Sequence, residues 1–417
     1  MKLIKILTYI ISLCLIILIL YANSNLYYKP KLISTSDNKI EADLLQQLKH
    51  LEMSIDAGVA LEMQKQYPEG FFFSYLLYGL TWCEITKDLP EESSIKNHAI
   101  LQAIKSLNNL ESDLGKQNFT QNLSLPHGAF YFGWINYLKA KMLSSSVNFK
   151  GRDNIEKDYI SGCLLISEAI NKSKSPYLES YPNLYWPSDM IPAVAALKLY
   201  DKMFLPKYDS VIINWLQKVK NSQLLSSGLI PHQVDKNGSQ IKAARGSSQS
   251  LILIILAEIS EQFAKEQFTL YKARFSNHFL FMPMIKEYSA ENNNTEDVDS
   301  GPILFGNGSV ATIAGAGTFK RFGEITTSTR MYQTLECIGF PYTNGNGKKY
   351  LGGLFPMADF FIAWTKSQHT IVYKTSINKN DSLWRLPFHL LSSVFVALLL
   401  LPFYNLLKFQ KKTKSII

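Results

Sequence analysis

The chain reads as an all-α protein in which six helices apolar on every side alternate with six amphipathic ones, between an apolar segment at each end. Three observations predict this. Six times, a short loop rich in Pro, Gly and aromatic residues leads into an apolar helix-like run. The markers Gly70, Gly128, Ser188, Gly246, Gly301 and Gly353 place these loops at intervals of 58, 60, 58, 55 and 52 residues. The segments between markers repeat apolar residues with the 3.6-residue period of a half-exposed helix. A helix apolar all round must be buried, so the pattern predicts an inner ring inside an outer ring.

Leu3 to Tyr21 is an apolar run interrupted by Lys5, Thr8, Ser12 and Cys14. At about 1.5 Å per residue it reaches roughly the 30 Å of a bilayer's hydrocarbon core. Lys2 and Lys5 at its start predict a cytoplasmic N-terminus. Residues 1–24 therefore read as a transmembrane anchor or, competing with it, as a signal segment cleaved near Ala22-Asn23-Ser24. Residues 25–40 read as a linker, and 41–369 as the helical domain.

Within that domain the loop-to-helix units are Tyr67–Gly70 into Phe71–Ile85, Leu125–Gly128 into Ala129–Leu143, and Tyr185–Asp189 into Met190–Phe204. Then follow Ala244–Ser248 into Gln249–Ile259, Asp297–Pro302 into Ile303–Phe319, and Gly352–Pro356 into Met357–Lys366. Pro or Gly at a helix start, with Ser or Asp available to cap, is an N-terminus signal. The amphipathic partners are Glu41–Gln66, Ser93–Asp113, Asp153–Asn171, Tyr208–Asn221, Glu261–Phe275 and Ile325–Ile338. Phe279–Met284 and Thr370–Tyr373 are the two places where short strands are expected. Gly306-Asn-Gly308 and Gly315-Ala-Gly317 are assigned to the fifth inner helix, as small residues for close helix contact.

Residues 370–385 read as a second linker and 386–407 as a C-terminal transmembrane helix, apolar without a break from Val394 to Leu401. Residues 408–417 form a basic tail whose Lys408, Lys411, Lys412 and Lys414 read as a cytoplasmic stop. The sequence thus predicts a cytoplasmic (inner) membrane protein with both termini cytoplasmic, the bilayer as its partner through both ends, and an extracytoplasmic domain.

The charge balance fits. Lys2, Lys5 and the four tail lysines supply six of the net +9, so the centre is nearly neutral and has no footprint for nucleic acid. The three central cysteines, Cys83, Cys163 and Cys337, have no zinc-ligand spacing and read as free core thiols. There is no nucleophile elbow, P-loop, HExxH or dinucleotide fingerprint, so no cofactor and no metal is expected. Asp297-Val-Asp299 resembles part of a calcium loop without the rest of its ligand set.

The alternating pattern over residues 41 to about 367 resembles the six-hairpin (α/α)6 toroid shared by many glycoside hydrolases, polysaccharide lyases and some membrane-associated hydratases and isomerases. The resemblance rests on period and loop chemistry. It implies parallel inner helices whose N-terminal loops gather at one mouth. Those loops carry Glu69, His127, Tyr181, Tyr185, Trp186, Asp189, Arg245, Asp297 and Asp299, with His232 and Asp235 just before Arg245.

Acids, a base, a cation and aromatic platforms converging on one concavity suit an enzyme acting on a carbohydrate or glycoconjugate. Hydrolysis needs a protonated and an ionised carboxyl, about 6.5–9.5 Å apart in an inverting arrangement. Glu69 or Asp189 facing Asp299 is the expected pair. Elimination would take His127, His232 or Tyr185 as base and Arg245 to neutralise a uronate carboxylate. Asp297 and Trp186 complete the expected substrate-binding set. A hydratase or isomerase acting on a small hydrophobic alcohol and a non-catalytic envelope scaffold are the alternative readings.

Overall fold

A computed structural model describes residues 2–35, 38–87, 89–223, 227–289, 301–372 and 382–414. Its helices are α1 (Lys2–Asn25), α2 (Ala42–Asp56), α3 (Val59–Gln66), α4 (Gly70–Thr86), α5 (Ser94–Leu110) and α6 (Asp113–Lys116). Next come α7 (Gly128–Ser145), α8 (Arg152–Lys172), α9 (Pro187–Met203), α10 (Asp209–Gln223) and α11 (Gly246–Ile259). The last are α12 (Glu261–Phe275), α13 (Ser309–Arg321), α14 (Ile325–Ile338), α15 (Pro356–Ser367) and α16 (Leu386–Lys414).

The helices α4, α7, α9, α11, α13 and α15 are the six apolar runs. Each packs on the next and α15 returns to α4, closing a ring. Nearly every residue of α4, α7 and α11 is buried, which only a helix surrounded on all sides can achieve. The amphipathic helices lie outside, with α5 on α4, α8 on α7, α12 on α11 and α14 on α13. Glycine sets some of these contacts. A Cβ on Gly317 of α13 would stand 2.9 Å from Thr365 Cβ of α15, and one on Gly79 of α4 equally close to Ser106 Cβ of α5. The predicted small-residue role of Gly315 and Gly317 holds.

Several expectations are corrected. The first amphipathic segment, Glu41–Gln66, is two helices, because Gly58 takes a left-handed φ of 91° between them. The fifth inner helix starts at Ser309 and not at Ile303. Residues 303–308 form a hairpin instead, with Gly306 at φ 78°, so Gly306, Asn307 and Gly308 lie outside the helix. Residues 370–372 are irregular, and Tyr373 is outside the described residues. The strand expected over Phe279–Met284 is split by a turn at Leu280-Phe281 into a hairpin of Ser276–Phe279 and Met282–Ile285. The first linker holds its own hairpin, Leu32–Thr35 with Asn38–Glu41, and α16 runs on through the tail lysines to Lys414. Cys83, Cys163 and Cys337 are free and buried.

The terminal helices are built alike. Leu3–Asn25 and Leu383–Tyr404 are each long and apolar enough to cross a membrane, and each is almost wholly unburied. They pack against one another in opposite directions. Tyr9 meets Phe403 at 5.1 Å between ring centroids, and His389 Nδ1 lies 2.5 Å from Asn23 Oδ1 near the other end.

The inner helices end on a floor of buried charge. Lys141 Nζ lies 2.5 Å from Glu84 Oε1 and 2.7 Å from Glu258 Oε1. Arg321 Nη2 reaches the same Glu258 oxygen at 2.5 Å, and the Tyr137 hydroxyl donates to Glu258 Oε2 at 3.1 Å. Lys141 and Arg321 sit in or near the last turns of α7 and α13, where the helix dipole favours cations. Two acids and two bases cancel. Burial alone would lower Lys141, but Glu258 and Glu84 raise its pKa well above the ordinary value.

Removing one member leaves a buried charge uncompensated. Glu258→Ala is expected to destabilise the fold by about 3–5 kcal/mol, read from denaturant melts of the full chain in detergent. A loss below about 1 kcal/mol would mean the floor does not hold the ring together.

Candidate active site at the mouth of the ring

The N-termini of the inner helices lie at the opposite end from this floor, and two separate clusters form there. The first spans α4 and α9. Glu69 is the residue before α4, half-buried, and Tyr181 donates its hydroxyl to Glu69 Oε1. Asp189 lies buried in the first turn of α9. It is not a cap, since Trp186 occupies that position, and its Oδ1 accepts from the Ser188 hydroxyl at 3.2 Å. Burial, reinforced by the nearby Glu69 carboxylate and opposed only by Ser180 and Ser188, pushes the Asp189 carboxyl up to about 7. No lysine or arginine among the described residues offsets it.

Aromatic rings wall this cluster. Tyr181 meets Trp186 edge-on at 5.6 Å and Phe119 at 5.9 Å. His127 precedes α7 with a left-handed φ of 65° and sets its ring edge-on to Tyr131 at 5.1 Å. Its Nδ1 lies 3.0 Å from the Phe119 carbonyl, so that nitrogen carries a hydrogen and donates it there.

The second cluster belongs to α11. Arg245, the residue before that helix, is buried, and its Nε donates to Glu287 Oε1 at 3.0 Å. Ser247 Oγ donates to the same oxygen at 2.6 Å, and Arg245 Nη1 stands 3.2 Å from His232 Nε2. The guanidinium also lies over the Tyr288 ring at 5.3 Å. Glu287 Oε2 is buried without a hydrogen-bond partner, and burial raises the carboxyl's pKa despite Ser247 and Arg245. Arg245 is thus engaged by an internal carboxylate, Glu287. The backbone N–H of Val234 donates to the carbonyl of Tyr185 at 3.1 Å and ties this cluster's loop to the first. Asp235 closes a turn by accepting from the backbone of Asn237 and Ser239.

Of the predicted site residues, Glu69, Tyr181, Asp189 and Trp186 come together, with His127 beside them. His232 and Arg245 form the neighbouring group, and Tyr185 supports the loop between. Asp297 and Asp299 lie outside the described residues. Glu287 escaped notice because Ile285-Lys-Glu-Tyr288 carries no motif, and only the tertiary fold brings it to Arg245.

Six inner helices, an outer layer and N-terminal loops gathered at one end decide the architecture. The fold is an (α/α)6 toroid. A solved structure of a family 105 glycoside hydrolase from C. acetobutylicum ATCC 824 has the same fold, at a TM-score of 0.50 and 14% sequence identity, over 77% of this chain and 98% of that one. No protein-family model and no curated protein matches the chain.

The toroid's buried Asp189 has a measurable signature. Its folded pKa of about 7 exceeds the ordinary carboxylate value, so the folded chain binds more protons between the two values, and stability falls as pH rises through that window. Asp189→Asn is expected to match the parent near pH 4 and to melt several degrees higher near pH 8, by calorimetry in detergent. Equal melting points at both pH values would remove Asp189 as a proton-holding group.

Proposed function

We propose that the chain is a membrane-anchored, extracytoplasmic enzyme that acts on a carbohydrate or glycoconjugate by acid/base hydrolysis. The observation that carries this reading is the asymmetry between the two ends of the ring. The floor's carboxylates are matched by cations, while Asp189 at the mouth is held protonated near neutrality beside Glu69, within a wall of aromatic rings. Asp189 is assigned as the acid that protonates the leaving oxygen, and Glu69, held by Tyr181, as the base that activates water. Trp186 and Tyr181 supply flat faces of the kind pyranose rings stack on. The family 105 glycoside hydrolase of like fold agrees with this chemistry but does not by itself establish it.

Elimination is the less supported route. His127 would supply a base, but the cation expected to neutralise a uronate, Arg245, is already bound to Glu287.

Anchoring is read from α1 and α16. Their length and hydropathy suit a bilayer, and their antiparallel packing returns both termini to one side, where the terminal lysines favour the cytoplasm. Cysteines placed singly at Lys2 and Lys411 should be labelled by an impermeant maleimide only from the cytoplasmic face, and one at Asn154 only from the opposite face. Labelling of all three from one face would overturn the topology.

Turnover is tested by release of reducing sugar from glycan and glycolipid panels. Asp189→Asn and Glu69→Gln are each expected to lower kcat by at least about 100-fold while the chain stays folded. The parent's kcat should fall as pH rises through about 7, because the required acid loses its proton. Undiminished turnover in Asp189→Asn would end the assignment.

A further inference from the structure

The route by which α1 leaves the toroid fixes which end of the ring lies nearest its apolar span. Gln333 Nε2 donates to the Tyr28 carbonyl, Asn25 Nδ2 to the Glu336 carbonyl, and the Tyr21 hydroxyl to the Pro341 carbonyl. As the chain runs back from residue 28 to residue 21, its contacts climb α14 and pass its C-terminal end. Outer helices return from floor to mouth, so α14 ends at the mouth. Residues 3–20 therefore project beyond the mouth side, and α16 packs along them.

The loops on that side are unusually apolar. The hairpin of Ser276–Phe279 and Met282–Ile285 turns on Leu280 and Phe281, both left-handed, with φ of 49° and 65°. The next hairpin, Ile303–Leu304 with Asn307–Gly308, turns on Phe305 and Gly306, with Phe305 at φ 51°. Two-residue turns of this kind favour Asn-Gly, and a bulky residue there is strained. The sequence instead puts Phe281 and Phe305 at the tips, 64% and 80% exposed. Leu354 and Phe355, before α15, are 78% and 50% exposed on the same sector.

The tips are continuous with the roots of the terminal helices. Phe305 stacks on Phe279 at 4.8 Å, and Phe279 and Leu280 pack against a cluster of Ala22, Leu26, Met282, Cys337 and Trp384. Tyr21, Tyr27 and Trp384 surround those roots, the residue types that favour a membrane–water boundary.

We propose that the mouth-side rim between α13 and α15 is a bilayer-docking face, with Phe281, Leu304, Phe305, Leu354 and Phe355 entering the lipid–water boundary that α1 and α16 cross. The inference rests on the membrane-anchored reading of those helices. A mouth so seated meets the polar heads of bilayer amphiphiles before solutes from bulk water, which narrows the substrate class to a lipid-linked glycoconjugate.

The test uses the full chain with Cys14→Ser, reconstituted in phosphatidylcholine vesicles, carrying one nitroxide at a time. The sites are Phe305→Cys on the rim, Leu398→Cys in the span of α16, and Leu205→Cys on the floor side, 86% exposed. Collisional relaxation by oxygen marks lipid, and relaxation by a water-soluble nickel chelate marks water. The expected result is lipid for Phe305→Cys and Leu398→Cys and water for Leu205→Cys. Leu398→Cys in lipid with Phe305→Cys in water would overturn docking alone and leave the rim as a protein-facing or solvent surface. Leu398→Cys in water would overturn the anchored reading itself.

A second arm compares a glycosylated diacylglycerol in the same vesicles with its soluble head group. The lipid form should turn over at least about tenfold faster in the parent. Phe305→Asn/Leu354→Ser should erase that preference, and since Asn suits the left-handed turn, folding is preserved. Equal turnover of both forms by the parent would overturn the lipid-linked substrate. Turnover of neither would overturn the enzymatic reading and leave the label results on docking standing.

Discussion

Helices buried on every side leave polar groups few places to go, and that constraint organises this protein. An inner helix of the toroid touches a neighbour on each flank, an outer helix behind and the ring's centre in front. Its backbone satisfies itself, so apolar side chains cover it at no hydrogen-bonding penalty. Charge is admitted at the ends. There the first N–H groups and last C=O groups lack intrahelical partners and the dipole biases which sign is welcome. A closed ring of such helices therefore gathers much of its charge at two ends.

The two surfaces are used differently. At the floor, Lys141 and Arg321 meet the carbonyl-rich ends of their helices, and Glu84 and Glu258 neutralise them within direct contact. A cluster balanced in this way is closed. Every member is held in its charged form by the others, and none has reason to exchange a proton. The wall near α14 and α15 repeats the device, with Lys366 Nζ 3.0 Å from Asp43 and 2.8 Å from Glu336, and Lys348 beside it. At the mouth the balance is broken. Asp189 is buried with hydroxyls and another carboxylate for company, and its proton affinity rises accordingly. Asp359, likewise in the first turn of an inner helix, also titrates high, at about 7, yet it accepts the Tyr350 N–H and has Lys349, Lys366 and Lys348 as its charged neighbours. A raised pKa alone does not mark a site; its position at the mouth beside a second acid does.

Much of this was legible because the period and the burial pattern are one fact seen twice. The intervals near sixty residues are the lengths of helix pairs, and the apolar run from Leu251 to Ala257 is the inside of the ring. Loop chemistry located the mouth, since Pro and Gly cluster where helices begin. What the sequence could not show were features made by tertiary contact. Gly58 breaks a helix whose flanks read as one, because its φ depends on how α2 and α3 both reach the ring. Gly306 to Gly308 looked like helix-packing glycines, since nothing local distinguishes them from Gly315 and Gly317. The pairing of Arg245 with Glu287 was likewise invisible, because α12 and its hairpin separate the two in sequence and only the fold brings them together.

The apolar hairpin tips are the feature least accounted for by folding. A hairpin that served only to connect α12 to α13 would be most stable with Asn-Gly at its turns, and would expose polar atoms. Here Asn307 instead spends its amide holding the carbonyls of Leu304 and Phe305, which keeps the strained turn in place with its ring outward. Local structure is thus shaped against local preference, in the sector where the chain leaves for its apolar termini. Leu280, Phe281 and Phe305 all hold left-handed turn positions, with the Phe281 and Phe305 rings exposed, and that cost is what the proposed docking of this rim on hydrocarbon would offset.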